Sequence, residues 1–139
     1  PIMAPASGTI ADAFDGATEM PVGDMSGILN PFGNYLIIEV APKEFLFLCH
    51  LQPKSLKVKK GDLVTQGQEL ALVGNSGHTA EPHLHIHLQD NKDLSFGEGI
   101  PLYFYHYTAD GKYTERGMPT GGINEKGVFK GQNIRNETH

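Results

Sequence analysis

The sequence predicts an all-β fold, an antiparallel sheet or barrel-sandwich with a groove, followed by a poorly structured tail. Three observations carry this. The 17 glycines and 9 prolines are spread along 139 residues as turn punctuation, not gathered in a linker. Between the turn signals lie short apolar runs of strand character. No window of useful length shows the 3.6-residue period of an amphipathic helix. Frequent short strands with regular turns indicate a sandwich or barrel.

The runs follow in order. "GTIADAF" (8–14) closes on the turn "FDG", and "NYLIIEVA" (34–41) opens after "NPFGN". "EFLFLCHL" (44–51) comes next, with Leu46, Leu48 and His50 expected on one face and Phe45, Phe47 and Cys49 on the other. "SLKVKKG" (55–61), "ELALVGN" (69–75), "HLHIHLQ" (83–89) and "PLYFYHY" (101–107) complete the set. Their separating turns are "KKGD", "GNSG", "DNKD" and "ADGK". From Asp110 the apolar density falls and six glycines lie among polar residues. The organisation expected is a β domain over residues 1–109 and an extension or tail over 110–139.

Eleven basic against sixteen acidic residues give a net charge of −5, which argues against nucleic acid as a partner. No apolar run reaches the roughly 18 residues of a membrane span. The chain opens on Pro1 with no signal-peptide pattern, as expected of a processed product or a fragment. A lone cysteine, Cys49, excludes an internal disulfide.

The chemistry concentrates in "EPHLHIHLQD" (81–90). Of seven histidines, three alternate here with Leu84, Ile86 and Leu88. On a strand the aliphatic residues take the core face, and His83, His85 and His87 share the other. Neighbouring histidines then stand about 6.5–7 Å apart at Cα, close enough for two rings to meet one ion. His83 and His87, roughly 13 Å apart, cannot easily do so together. The strand can thus supply one or two ligands and a neighbouring acid–base group.

Other candidates are weaker when read alone. His50 reads as a satisfied strand-end histidine, with Cys49 as a small buried hydrophobe pointing away from it. His78 is a loop residue, and His106 and His139 have no partner visible in the sequence. Tyr103, Tyr105 and Tyr107 alternate as a groove wall or, more often for such a pattern, as residues that close a core or cover an edge. Asp12, Asp15, Glu19 and Asp24 read as surface carboxylates. In "VKKGDLVTQGQELALV" (58–73), Val58, Leu63, Val64, Leu70 and Leu72 are the expected buried positions. That stretch, with "APASGTI" (4–10), also occurs in compact β carrier domains. A lipoyl or biotinyl carrier fails for want of a lysine at the hairpin tip. A carrier phosphorylated on His50 stays open but leaves "HLHIHL" unexplained.

One family accounts for both patterns. "GNYLIIEV", "LFLCHLQPKSLKVKKGDLVTQGQELALVGNSG" and "EPHLHIHLQ" together resemble the lysostaphin-type zinc metallopeptidases over roughly residues 2–105. The resemblance implies an antiparallel β fold with a groove and a zinc cofactor, with His85, second in the His-x-His pair, as metal ligand. It implies acid–base or transition-state-stabilising roles for His50 and His83, and leaves His87 beyond the family pair as a supporting candidate. It further implies a cell-wall peptide substrate, often a glycine-containing cross-link, and an extracellular or cell-envelope location. The family's other ligands, a His and an Asp, come shortly before the segment matching "PIMAPASGTI", and no His precedes His50 here. A non-catalytic binding or scaffold module on the same fold is the alternative expectation.

Overall fold

A computed structural model describes residues 1–123, 125–127 and 129–137. His139 lies outside the described residues. The chain divides into two compact units, Pro1–Ile100 and Pro101–His139. Among the described residues there is no α-helix, only a 3-10 turn at Gly27–Leu29.

The first unit contains β1 (Ile2–Met3), β2 (Gly8–Phe14), β3 (Asn34–Ala41), β4 (Glu44–Leu51), β5 (Leu63–Val64), β6 (Glu69–Ala71), β7 (His85–Gln89) and β8 (Gly99–Ile100). Six of these form one antiparallel sheet in the order β5-β2-β3-β4-β7-β8, while β1 pairs with β6. β2, β3 and β4 span the runs read from the sequence because each is long, apolar and rich in β-branched or aromatic residues.

β3 and β4 lie at the centre of the sheet and are buried on both faces. Register sorts their side chains. Leu36 opposes Leu48 and Ile38 opposes Leu46 on one face, where Ile86 and Leu88 of β7 continue the row. On the other face Ile37 opposes Phe47, and these two with Cys49 form a fully buried cluster. Opposite Phe47 and Cys49 on β7 stand His87 and His85. The histidine row therefore stands beside an apolar floor.

Several expectations are corrected. "SLKVKKG" forms no strand; its backbone is tied instead through Lys57 N–H to Leu70 O at 2.9 Å, and the short strand falls at Leu63–Val64. Leu63 and Leu72 are exposed while Val64 and Leu70 are buried, since a two-residue strand and an irregular exit leave only part of the apolar run facing inward. "HLHIHLQ" becomes strand only from His85, because Pro82 has no N–H to give a ladder and His83 turns its ring back onto Glu81.

The second unit holds β9 (Phe104–Ala109), β10 (Lys112–Gly117), β11 (Gly121–Ile123), β12 (Phe129–Gly131) and β13 (Ile134–Asn136). The segment expected as a poorly structured tail thus carries four strands, in ladders β10-β9-β13 and β11-β12. "ADGK" was legible as a turn. Asp110 and Gly111, with φ of 51° and 80°, make the twisted two-residue connection that joins antiparallel strands, and low apolar density hid the hairpin that follows from it.

In the first unit the turn "GNSG" is packed on "NPFGN". Gly33 and Gly77 both have left-handed φ, 61° and 85°, and a Cβ on either would fall 2.3 Å from Ser76 O or 2.4 Å from Gly33 N. Gly33→Ala or Gly77→Ala should each lower the unfolding free energy by about 2–4 kcal/mol, combining left-handed strain with overpacking. Gly61→Ala, at φ 93° in open space, should cost only about 1 kcal/mol. Urea unfolding of the three variants checks this; equal losses would contradict the close packing of the two loops.

Candidate active site

His50 reaches the histidine face through a fault in the strand. Tyr35 opposes Cys49, but the next pair is Asn34 with Leu51, so His50 is an extra residue with no partner on β3. Its φ is 63°, a left-handed value that costs a non-glycine residue about 1–3 kcal/mol. Strict alternation would have sent His50 to the Leu46–Leu48 face; the bulge turns it the other way. The sequence expectation for its direction was therefore wrong, and the correction brings it to the other histidines. The His50 ring lies 4.8 Å from that of His83 and 5.9 Å from that of His85, centroid to centroid.

The surrounding backbone fixes this strained geometry. His50 N–H donates to Phe32 O at 3.0 Å, and His50 O accepts from Gly74 N–H at 3.0 Å. Ser76 Oγ donates to Leu51 O at 2.7 Å and accepts from Asn34 N–H at 3.0 Å. Asn34, fully buried, also spans to Ala17 through both ends of its amide. Sequence reading gave no role to Asn34, Ser76, Thr79 or Gln89. Only the "GNSG" turn signalled that something special was built there.

Hydrogen-bond partners assign the ring protons. Ser76 O can only accept, so the 2.8 Å bond to His50 Nδ1 places the proton on Nδ1 and leaves Nε2 bare. His83 Nδ1 lies 2.8 Å from Glu81 O and 3.1 Å from Thr79 Oγ1, whose own hydrogen goes to Glu81 O. Its Nδ1 is thus also protonated and its Nε2 bare. His85 Nε2 contacts His87 Nδ1 at 2.7 Å, and His87 Nε2 contacts Gln89 Oε1 at 3.0 Å. His87 stacks on Phe47, with centroids 4.4 Å apart and planes 15° from parallel. His78 donates to Met25 O at 2.8 Å, and its charge adds to the lowering of the His50 pKa.

Electrostatics follow from the floor. Burial, reinforced by the neighbouring rings of His87, His50 and His83, lowers the His85 pKa from 6.5 to about 4. Burial also lowers His50, partly offset by its bond to Ser76 O, and lowers His87, partly offset by Gln89. The Cys49 thiol is pushed up to about 12 by burial, which keeps it protonated and unreactive. His50, His85 and His87 are therefore held towards the neutral form, the state in which imidazole can bind a cation.

The fit to zinc is partial. His85 is neutral, oriented by a hydrogen bond on one nitrogen, and has no hydrogen-bond partner for the other among the described residues. Those are the properties of a metal-ligating histidine. Among the described residues, however, no three His, Cys, Asp or Glu side chains are grouped to hold a metal ion. These residues fit one ligand of a zinc site, not the whole of it.

A linked prediction concerns acid stability. An unfolded histidine takes its proton near pH 6.5, whereas folded His85 resists until about 4. Between those values the unfolded chain binds more protons. This contribution is full above pH 6.5 and is lost as pH falls towards 4. His50 and His87 shift in the same direction. Urea unfolding should show stability declining across that window, less steeply in His85→Gln. A wild-type profile flat from pH 7 to 4 would contradict the buried neutral cluster.

Comparison with known proteins agrees with this construction. A family model described as peptidase family M23 matches residues 1–95. A segment of 54 residues is 44% identical to the peptidoglycan DD-endopeptidase ShyB of Vibrio cholerae serotype O1, covering 39% of this chain and 12% of that protein. A segment of 56 residues is 39% identical to the peptidoglycan DD-endopeptidase ShyA of the same organism, covering 40% of this chain and 13% of that one. The matches thus span only a small part of the length of these curated relatives. A solved structure, the catalytic domain of a point mutant of the prophage-encoded M23 protein EnpA from Enterococcus faecalis, shares the fold. It superimposes with a TM-score of 0.56 at 23% identity, over 72% of this chain and 65% of that one. With the family model covering 95 of its 139 residues, the chain belongs to peptidase family M23.

Proposed function

We propose that the first unit is the catalytic part of a zinc-dependent endopeptidase that hydrolyses peptide bonds of bacterial peptidoglycan. The observation that carries this is the meeting of His50 and His83 rings, 4.8 Å apart, each with a bare Nε2, beside a neutral His85. Family membership supports the reaction class, and the names of the relatives support the cell-wall substrate. By the same reasoning the site of action is the cell envelope or exterior. Among the described residues no helix is long and apolar enough to cross a membrane.

His85 is the proposed metal ligand. The remaining ligands are proposed to be the His and Asp that the family carries ahead of the matched segment. Zinc, when bound, supplies Lewis-acid polarisation of the peptide carbonyl and makes water a nucleophile near neutral pH. The chain's own residues then handle protons. The attacking water bonds through oxygen to the carbonyl carbon and gives its proton to a bare Nε2 of His50 or His83. Both Nδ1–H groups are committed to carbonyls, so neither ring can donate from Nε2 until it has taken that proton. Once protonated, the ring can stabilise developing negative charge or return the proton to the leaving amine as the C–N bond breaks. Ser76 O and Glu81 O hold the rings and stabilise the imidazolium that forms. At 4.8 Å the two rings repel as cations, so one proton at a time is carried.

The test uses a longer chain carrying an upstream His and Asp beside residues 1–139. Zinc content is measured by elemental analysis, and peptide release is measured from purified cell wall. The longer chain should bind stoichiometric zinc and cleave, whereas residues 1–139 should bind zinc weakly and cleave poorly. His85→Ala should lose the metal. His50→Ala and His83→Ala should keep most of it and lose turnover, by about 10²–10⁴-fold for loss of a general acid–base group. Full zinc and brisk hydrolysis by residues 1–139 alone would overturn the ligand assignment. A longer chain without zinc or activity that still binds cell wall would establish the binding-module reading instead.

A further inference from the structure

Gln89 is a largely buried amide on β7 with an unusual set of partners. Its Nε2 lies 2.7 Å from Asn91 O, 2.8 Å from Asp93 O and 3.3 Å from Phe96 O. Carbonyl oxygens only accept, so the amide nitrogen must occupy this end. Reversing the amide would set Oε1 against three carbonyls. The loop after β7 thereby fixes which atom Gln89 presents to its other neighbour.

That atom is Oε1, 3.0 Å from His87 Nε2. Because Oε1 accepts only, His87 Nε2 must carry the hydrogen. A neutral imidazole has one N–H, so His87 Nδ1 is bare. His85 Nε2 lies 2.7 Å from it and must in turn donate. The proton of His85 is then on Nε2, and its Nδ1 is left as the free lone pair.

We propose that Gln89, acting through His87, is a positioning residue that sets the direction of this hydrogen-bonded chain and so leaves Nδ1 as the bare nitrogen of His85. This deepens the peptidase reading and rests on it for the use made of His85. Without an acceptor at residue 89, the His85–His87 pair is bonded equally well in reverse. His87 Nδ1–H would then donate to His85 Nε2, and the His85 proton would move to Nδ1. His87 also stacks on Phe47, which holds the relay ring in place. The alternation of His85, His87 and Gln89 on one face of β7 is thus a single wire for tautomer choice, anchored in the 91–96 loop.

The experiment reads the protons directly in metal-free protein, residues 1–139, with ¹⁵N-labelled histidine at pH 8. In the wild type, His85 and His87 should each show a protonated Nε2 and an unprotonated Nδ1. A through-hydrogen-bond ¹⁵N–¹⁵N coupling should join His85 Nε2 to His87 Nδ1. Gln89→Leu should give both rings averaged signals of two tautomers. His87→Phe keeps a stacked ring but removes the relay, and should free His85 from a single tautomer even where Gln89→Leu fails to fold. In the Gln89→Leu background, His87→Asp supplies an acceptor-only oxygen to His85 and should restore its Nε2–H state, which a merely structural role for Gln89 would not do. A wild-type His85 with its proton on Nδ1, or a folded Gln89→Leu or His87→Phe variant with an unchanged His85 signal, would overturn the proposal. Since no metal or substrate is involved, the relay can hold while the zinc test fails, or fail while that test succeeds.

Discussion

The site depends on one backbone residue held in a left-handed conformation. β4 is a central strand, apolar on both faces, and would ordinarily run through with its side chains alternating. A single inserted residue at His50 reverses that parity at the strand's end. The cost, about 1–3 kcal/mol, falls where both backbone groups of His50 are bonded and the flanking loops are locked. Phe32, Gly74 and Ser76 each make one hydrogen bond to His50, and Asn34 and Ser76 tie the loops to Leu51. The buried polar residues Asn34 and Ser76 thus brace a strain that points an imidazole at its partners.

A second constraint is the apolar floor of Ile37, Phe47 and Cys49. Histidines set in water would titrate near their ordinary value and would be partly cationic at mildly acidic pH. Burial beside this floor holds His50, His85 and His87 towards the neutral form. Neutrality is the state in which imidazole accepts a proton or binds a metal. Packing and chemistry are therefore one arrangement: the residues that close the core also set the ionisation of the site. His50, His83 and His85 each have one ring nitrogen committed to a neighbour.

Much of this was legible in the sequence. The runs 8–14, 34–41 and 44–51 are strands because their length and apolar content leave few alternatives. The face shared by His85 and His87 follows from period-2 alternation, which register on β4 preserves. What alternation could not give was His50. The bulge depends on partners distant in sequence, Phe32 before it and Gly74 and Ser76 after it, and no local pattern in "EFLFLCHL" announces it. The hairpin after Asp110 was missed for the opposite reason. Its turn chemistry was plain, but its strands are too polar to show the usual pattern. Gln89 was invisible because an amide at a strand end is ordinary until its three carbonyl partners are seen.

The most direct test of the account is where the His50 ring points. Nuclear Overhauser contacts between assigned histidine ring protons in the metal-free protein measure this. The account predicts strong cross-peaks from His50 to His83 and weaker ones to His85, matching centroid separations of 4.8 and 5.9 Å. Cross-peaks from His50 to Leu48 and Ile86 methyls, with none to His83 or His85, would place the ring on the opposite face of an unbulged strand and contradict it.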